Sequence, residues 1–176
     1  MTKKKKITEL QAISEKSVIE AVQKVKYLTL PEIDQLSSLL MKTQPHLCGL
    51  IAGLKLDGVT QEHNGHVWYL LFVCYYACEG EKFSALTIEK DIPEAYRGVG
   101  KFAQYFENEK DKKVFEKTLI SSPEANLLAY VVGYLREQGI TGKTESEYQT
   151  LIACYALVQL FYLARKKRLR LCLGEC

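Results

Sequence analysis

Apolar residues recur every three or four positions along most of this chain, the spacing that places them on one face of an α-helix. The clearest example is the stretch "EANLLAYVVGYLREQ", in which apolar pairs alternate with polar residues at helical intervals. The pattern predicts an all-α fold, a compact bundle of about seven to eight helices. The predicted helices run from about Ile7 to Leu28, Pro31 to Lys42, Pro45 to Gly58, Pro123 to Gln138 and Glu145 to Leu171, with two more between Glu94 and Ile120 that are interrupted near Asn108.

One stretch, "HVWYLLFVCYYAC", is apolar on all sides and therefore predicts a central, buried element. Its valine and aromatic content suits a strand as well as a helix. An α+β fold with a small hairpin or strand around residues 54–78 is therefore the alternative to the all-α fold. The preceding stretch, "VTQEHNG", is predicted to be a polar connection.

Three helix starts share one pattern, in which a residue with a side-chain oxygen is followed by proline and then glutamate. They are Thr29-Leu-Pro-Glu32, Asp91-Ile-Pro-Glu94 and Ser121-Ser-Pro-Glu124. The pattern predicts an N-cap, a proline in the first turn and a glutamate at the third helical position. Their separations of 62 and 30 residues are too unequal for a helical repeat of fixed period.

The stretch "REQGITGKTESE" contains Gly-Lys-Thr and raises the possibility of a phosphate-binding loop. Such a loop needs a first glycine five residues before the second, and that position holds Glu137. The preceding residues also predict a helix, where a phosphate-binding loop needs a strand. Gly139 suits a left-handed helix C-cap, and Thr144 with Glu147 forms a capping box. The stretch therefore predicts a helix-to-helix connection.

Length and composition fit one domain. A chain of 176 residues with 47% hydrophobic residues can bury a core without a disulfide or a metal. No Pro/Gly/Ser-rich linker divides it, so residues 1–176 are expected to form a single helical domain. A lysine-rich N-terminal extension at residues 1–6 and a basic C-terminal tail at residues 165–176 flank that domain.

The apolar run "LIACYALVQLFYLA" is 14 residues long, shorter than the roughly 20 that cross a bilayer, so no transmembrane segment is expected. The start of the chain lacks the apolar core of a secretory signal. Four cysteines lie in apolar runs and are expected to be buried free thiols, whereas Cys172 and Cys176 lie near the accessible C-terminus. These features favour a cytoplasmic protein.

Charge is distributed unevenly along the chain. Nine of the 24 basic residues lie at the two ends, and the remaining 15 are outnumbered by 20 acidic residues, which leaves a body of about −5. Blocks of this kind bind nucleic acid or an acidic partner, or form a solvated helix end. The candidate residues for binding nucleic acid or an acidic partner are Lys3, Lys4, Lys5, Lys6, Arg165, Lys166, Lys167, Arg168 and Arg170.

Tyrosines recur every seven residues along the last predicted helix, at Tyr148, Tyr155 and Tyr162. Tyrosine has a large apolar ring and a hydroxyl that needs a partner, so such a stripe lies at the edge of a core or at a subunit interface. The interface hypothesis predicts that replacing Tyr155 and Tyr162 by alanine alters assembly more than stability.

The candidate residues for metal binding and catalysis are weaker than those for charge-mediated binding. His63, His66, Cys74 and Cys78 lie within sixteen residues, but on one helix His66 and Cys74 are about 12 Å apart, too far to share a zinc ion. No catalytic motif or dinucleotide fingerprint occurs, so no catalytic residue, metal site or cofactor is assigned. The chain gives no indication of a small-molecule ligand.

Together these patterns predict a non-catalytic helical module for protein interaction or assembly. It is expected to present its C-terminal helix and basic end to a protein partner or to a second copy of itself. The alternatives are a nucleic-acid-associated accessory protein that binds the phosphate backbone through the same basic residues, and an enzyme or metal-binding protein whose site is dispersed through the fold.

Overall fold

The structure is a computed structural model that describes residues 10–78, 89–99 and 121–172 of the chain. Within those residues it is helical and contains no strand, which confirms the all-α fold. The α-helices are α1 (Glu15–Lys26), α2 (Leu30–Thr43), α3 (Pro45–Gly53), α4 (Gln61–Ala77), α5 (Ala125–Glu137) and α6 (Glu145–Cys172), and a 3-10 turn at Glu89–Asp91 leads into helical residues 92–99. Lys3 to Lys6, Asn108 and Cys176 lie outside the described residues.

α4 is the central helix, and it packs against α1 on one side and α6 on another. Its buried residues point in every direction around the helix, which explains why the sequence there shows no apolar stripe. The alternative of a hairpin or strand around residues 54–78 is therefore wrong. The polar connection is also shorter than expected, because Thr60 caps α4 by accepting a hydrogen bond from the His63 N–H at 3.2 Å.

The core is one continuous apolar cluster to which all six helices contribute. α5 packs against α1 and α6, and α2 packs against α3 at the periphery. Leu39 of α2 is exposed, although it lies beside the buried Leu40. The largest fully buried side chains are Leu40, Leu47, Ile51, Leu70, Leu71, Leu127, Leu135, Ile140, Leu157, Leu160 and Phe161.

The three predicted helix starts differ in how well they agree with the structure. The start at Thr29 is confirmed, since the Thr29 N–H donates to Glu32 Oε2 at 2.8 Å. The start at Ser121 is wrong, because α5 begins at Ala125 and Glu124 precedes the helix as a buried residue. The start at Asp91 lies where it was predicted, because Asp91 directly precedes helical residues 92–99, but Asp91 also ends a 3-10 turn and is buried. Both carboxylates bind cations of α6.

The first helix also begins later than its apolar pattern predicts. Residues 10–14 are not helical, and α1 begins at Glu15 after the N-cap Ser14, whose Oγ accepts from the Ser17 N–H at 3.1 Å. Ser14 has extended backbone angles, φ −69° and ψ 151°. The residues before α1 therefore form a non-helical segment, called here the N-terminal strap (residues 10–14).

The Gly-Lys-Thr stretch connects α5 to α6, as predicted. Gly139 has φ 75° after the end of α5, and the Ile140 N–H returns to the Leu135 carbonyl at 2.9 Å. The Glu147 carboxylate accepts hydrogen bonds from the N–H groups of Thr141 and Lys143 at 2.8 and 3.1 Å. The chain's own carboxylate thus binds the backbone N–H groups that a bound phosphate would need.

This arrangement predicts a pH-dependent contribution of Glu147 to stability. Hydrogen bonds from the Thr141 and Lys143 N–H groups lower the pKa of Glu147 from its ordinary 4.5 to about 2. A depressed carboxyl pKa stabilises the fold above the ordinary pKa, and this stabilisation disappears as pH falls through the folded value. Glu147→Gln is therefore expected to lower the melting temperature at neutral pH, and the difference from the unmodified protein should shrink between pH 4.5 and pH 2.

The measurement is a series of thermal unfolding curves across that pH range. Glu145→Gln is the matched control, because Glu145 is in the same first turn but its side chain accepts only from Gln149 on the helix surface. A melting difference for Glu147→Gln that does not change with pH would contradict the prediction.

Candidate interaction site at the end of the last helix

The basic block near the C-terminus is part of a helix and not a tail, because α6 continues without interruption to Cys172. Its five cations are Arg165, Lys166, Lys167, Arg168 and Arg170. Cations at this end of a helix interact favourably with the partial negative charge of the last carbonyl groups. Two of the five, Arg165 and Lys167, bind buried carboxylates.

Arg165 forms the most buried ion pair among the described residues. Its Nη1 donates to Oε1 of Glu124, whose side chain is only 1% exposed. Burial raises the pKa of Glu124, while a hydrogen bond from the Ile13 N–H and the charge of Arg165 act in the opposite direction. The guanidinium also donates to the Gln11 carbonyl at 2.9 Å. Arg165 therefore ties α6 to the start of α5 and to the N-terminal strap.

Lys167 makes the second pair. Its Nζ lies 2.6 Å from the Asp91 carboxylate, whose side chain is 7% exposed. This contact joins α6 to the 3-10 turn. Of the remaining cations, Lys166 and Arg168 are half-buried and Arg170 is exposed. Arg168 has an interaction of its own, so Lys166 and Arg170 are the clearer candidates for binding phosphate or an acidic partner, while Lys3 to Lys6 lie outside the described residues.

The N-terminal strap is held by side chains that bind its main chain. Glu124 Oε2 accepts from the Ile13 N–H at 2.8 Å, and Asn126 Nδ2 donates to the Ile13 carbonyl at 2.8 Å. Ile13 itself is buried in the core. Because both polar groups of Ile13 have partners, the strap has a defined position relative to α5 and α6.

A cleft of about 430 Å³ lies between the strap, the end of α4 and the last turns of α6. We call it the basic cleft because two arginines of α6 line it. It is lined by Leu10, Gln11, Ala12, Ile13, Ser14, Ser17, Ala77, Cys78, Arg165, Arg168, Leu169 and Cys172. Its walls combine aliphatic side chains with guanidinium groups and hydroxyls.

Sequence reasoning missed the strap and the cleft. It placed residues 10–14 inside a helix, and it placed Glu124 at the third position of a helix that would begin after Ser121. One signal was present, since Ser14 directly precedes the helix and serine is a preferred N-cap. No local signal identifies the cleft, because its walls come from segments separated by more than fifty residues.

The tyrosine stripe of α6 is half-buried along its whole length. Tyr155 packs against the core, and burial raises its pKa to about 12. Tyr162 lies outside the core cluster, with Lys166 Nζ 6.0 Å from its ring centroid. The geometry of Tyr155 therefore favours the edge of a core. The interface hypothesis stays a prediction, and Tyr162 is the residue that tests it.

A second aromatic group, not predicted from the sequence as a unit, joins α4 to α5. The rings of Tyr69 and Tyr134 stack with centroids 4.7 Å apart, and the Tyr69 and Tyr130 hydroxyls lie 2.9 Å apart. His66 Nδ1 lies 2.7 Å from the Tyr134 hydroxyl. Each polar group therefore has a partner within the group, and the arrangement is explained by packing between the two helices.

The four metal candidates are not brought together. His63 Nδ1 lies 2.6 Å from Ser146 Oγ, and His66 binds Tyr134. Cys74 is fully buried in the core, where burial raises its pKa, and Cys78 lines the basic cleft. Among the residues described, no three side chains of the types that bind metals are grouped. Cys48, Cys74, Cys78 and Cys154 are buried free thiols, as predicted, and Cys172 is exposed.

Comparisons with known proteins find no matching family model, no matching curated protein and no matching solved structure. In the described part of the chain, none of the helices combines the length and the apolar character needed to cross a bilayer. Any functional inference therefore depends on the site itself.

Proposed function

We propose that this protein is a non-catalytic interaction module that binds an acidic segment of a partner protein at the basic cleft. The observation that supports the proposal is the cleft of about 430 Å³ lined by Arg165 and Arg168. Its volume lies within the range of about 300–1,000 Å³ typical of binding sites in proteins.

The positive charge near the end of α6 is the reason for proposing an acidic partner. Lys166, Arg168 and Arg170 lie on the same two turns of α6, so they create a local positive field at the end of a helix. Charge complementarity of this kind steers an acidic partner and fixes its orientation more than it adds affinity. The paired residues Arg165 and Lys167 hold the end of α6 in place beside the strap and the 3-10 turn.

The test compares polyanions across a salt series. Fluorescent poly-glutamate, used as a model of an acidic protein segment, is titrated against the full chain and against Lys166→Gln/Arg168→Gln/Arg170→Gln. We expect binding that weakens with salt and is reduced at least tenfold in the triple variant. The matched control is Lys24→Gln/Lys26→Gln/Lys42→Gln, which removes the same charge from α1 and α2.

Single-stranded and duplex DNA are titrated in parallel. If three phosphates on duplex DNA were engaged by Lys166, Arg168 and Arg170, log affinity would fall with log salt at a slope of about −2.7. DNA binding with that slope, tighter than binding of poly-glutamate, would replace the proposed function by the nucleic-acid alternative. Absence of binding to either polymer at low salt would overturn both.

A further inference from the structure

We infer that the two basic ends of the chain form one binding site, in which Lys3 to Lys6 contact the same acidic segment as Lys166 and Arg170. This inference rests on the proposed function, because it names the cations that the acidic partner contacts. It goes further by assigning the lysine-rich N-terminal extension to the site at the end of α6. It follows from where the N-terminal strap lies.

The strap fixes the point at which the N-terminal extension joins the fold. Arg165 of α6 donates to the Gln11 carbonyl at 2.9 Å, although 154 residues separate the two along the chain. Leu10, the first described residue, lines the basic cleft together with Leu169 of α6. The side chain of Ile13 is buried in the core and anchors the strap there. The extension therefore begins beside the last turns of α6.

Covalent geometry limits how far the lysines lie from this point. Lys6 is five residues before Gln11, and an extended chain covers at most about 3.6 Å per residue, so the two Cα atoms lie within about 18 Å. By the same measure Lys3 lies within about 29 Å of Gln11. The cations of α6 outside ion pairs follow Arg165 by up to five residues, which is about 7.5 Å along the helix axis. An acidic segment of about ten residues can therefore reach both groups.

The cations assigned to the site are not neutralised within the described part of the fold. Among the described residues, neither Lys166 nor Arg170 forms an ion pair with a carboxylate. Lys166 Nζ lies 6.0 Å from the Tyr162 ring centroid, and Arg170 is exposed. The charge of Arg165 is balanced by Glu124, so Arg165 positions the strap and does not count as a partner-binding cation. With the four lysines of the extension, the site has six cations, four from one end of the chain and two from the other.

The charge of the rest of the chain favours a short and flexible acidic ligand. Residues 7–164 contain 15 basic and 20 acidic residues, which gives a net charge of about −5. A stiff DNA duplex bound at the basic ends also passes close to this acidic body, whereas a flexible polypeptide can contact the basic ends alone. The occupant that fits the site is therefore an acidic stretch of a partner protein.

The first experiment titrates fluorescein-labelled poly-glutamate against the full chain and two variants. One variant has glutamine in place of all four lysines from Lys3 to Lys6, and the other is Lys166→Gln/Arg170→Gln. Each is expected to bind about tenfold more weakly, because exposed ion pairs contribute little singly but several are lost together. Lys24→Gln/Lys26→Gln removes two charges from α1 instead, and this matched control should bind as the unmodified chain does.

An insertion tests whether the lysines act at the same place as the end of α6. Twenty Gly and Ser residues between Lys6 and Ile7 lengthen the connection from Lys6 to Gln11 from five to 25 residues and change no charge. The effective concentration of a tethered group falls roughly as the −3/2 power of tether length, so the insertion should weaken binding about tenfold. The same insertion in the variant without the four lysines should have no further effect. Thermal unfolding verifies that every variant stays folded.

The outcomes separate this inference from the proposed function. If replacing the four lysines leaves poly-glutamate affinity unchanged while Lys166→Gln/Arg170→Gln weakens it, the shared site is wrong and the proposed function stands. If the lysines contribute but the insertion has no effect, they bind the polymer independently of α6, and the shared site is again wrong. If the full chain does not bind poly-glutamate at low salt, both fail. Weaker binding in both variants and in the insertion variant supports one site built from both ends of the chain.

Discussion

Replacing Arg165 by methionine is expected to destabilise the protein by about 3 kcal/mol. Removing one member of a buried ion pair costs about 3–5 kcal/mol, because the other charge stays buried without compensation. Here the uncompensated charge is Glu124, whose side chain is 1% exposed. The lower end of the range applies, since the Arg165 side chain is 22% exposed and water can enter part of its position. The methionine also loses the hydrogen bond to Gln11.

Urea denaturation followed by circular dichroism measures this free energy of unfolding. Arg170→Met is the matched control, because it makes the same substitution at an exposed position of the same helix and should change stability by less than about 0.5 kcal/mol. The double variant Glu124→Gln/Arg165→Met should regain part of the loss, since no charge is then buried. A loss for Arg165→Met no larger than that of the control would show that the pair does not hold the strap and α6 together.

Replacing Phe161 by alanine is expected to have a comparable or larger effect, about 3–5 kcal/mol. Phe161 lies on α6 and is fully buried. Truncating a buried phenylalanine removes the free energy gained by burying its ring and leaves a cavity that the neighbouring helices fill only in part. Because α6 packs against α4 at the centre of the fold, the whole unfolding transition should shift to lower urea concentration.

Tyr162, which follows Phe161 in the sequence, supplies the control and tests the hypothesis that the tyrosine stripe of α6 forms a subunit interface. Tyr162 is half-buried and outside the core cluster, so Tyr162→Ala should cost well under half of the Phe161→Ala loss. If Tyr162 contributes to a subunit interface, sedimentation velocity should show a shift toward smaller species for Tyr162→Ala at unchanged concentration. A large loss of stability with unchanged assembly would instead identify Tyr162 as part of the core.

Local patterns in the sequence predicted most of the helices correctly. The apolar repeat before Gly139, that glycine at the end of α5, and the Thr144 and Glu147 capping box all act within a few residues of each other. Such interactions are local, so residue type and spacing are enough to predict them. The same locality ruled out a phosphate-binding loop, because Glu137 occupies the place of the required glycine.

Sequence patterns that fit both a strand and a helix were harder to interpret. The apolar stretch from His66 to Cys78 suits a strand or a helix, because a fully buried element of either kind lacks a polar face. The choice depends on the neighbouring elements, and helices α1 and α6 both pack against it. Ile13 falls within the predicted first helix, and it is buried, but it lies in the non-helical N-terminal strap.

The sequence by itself therefore determined the all-α class, most helix boundaries, the buried thiols and the basic character of the last helix. Tertiary structure alone decided which cations are paired: Arg165 meets Glu124 across 41 residues and Gln11 across 154 residues, and Lys167 meets Asp91 across 76. A buried carboxylate needs a counterion wherever the fold can supply one, and no periodicity or spacing encodes which distant cation that is. The basic cleft depends on those same distant contacts, so it becomes visible only in the folded chain.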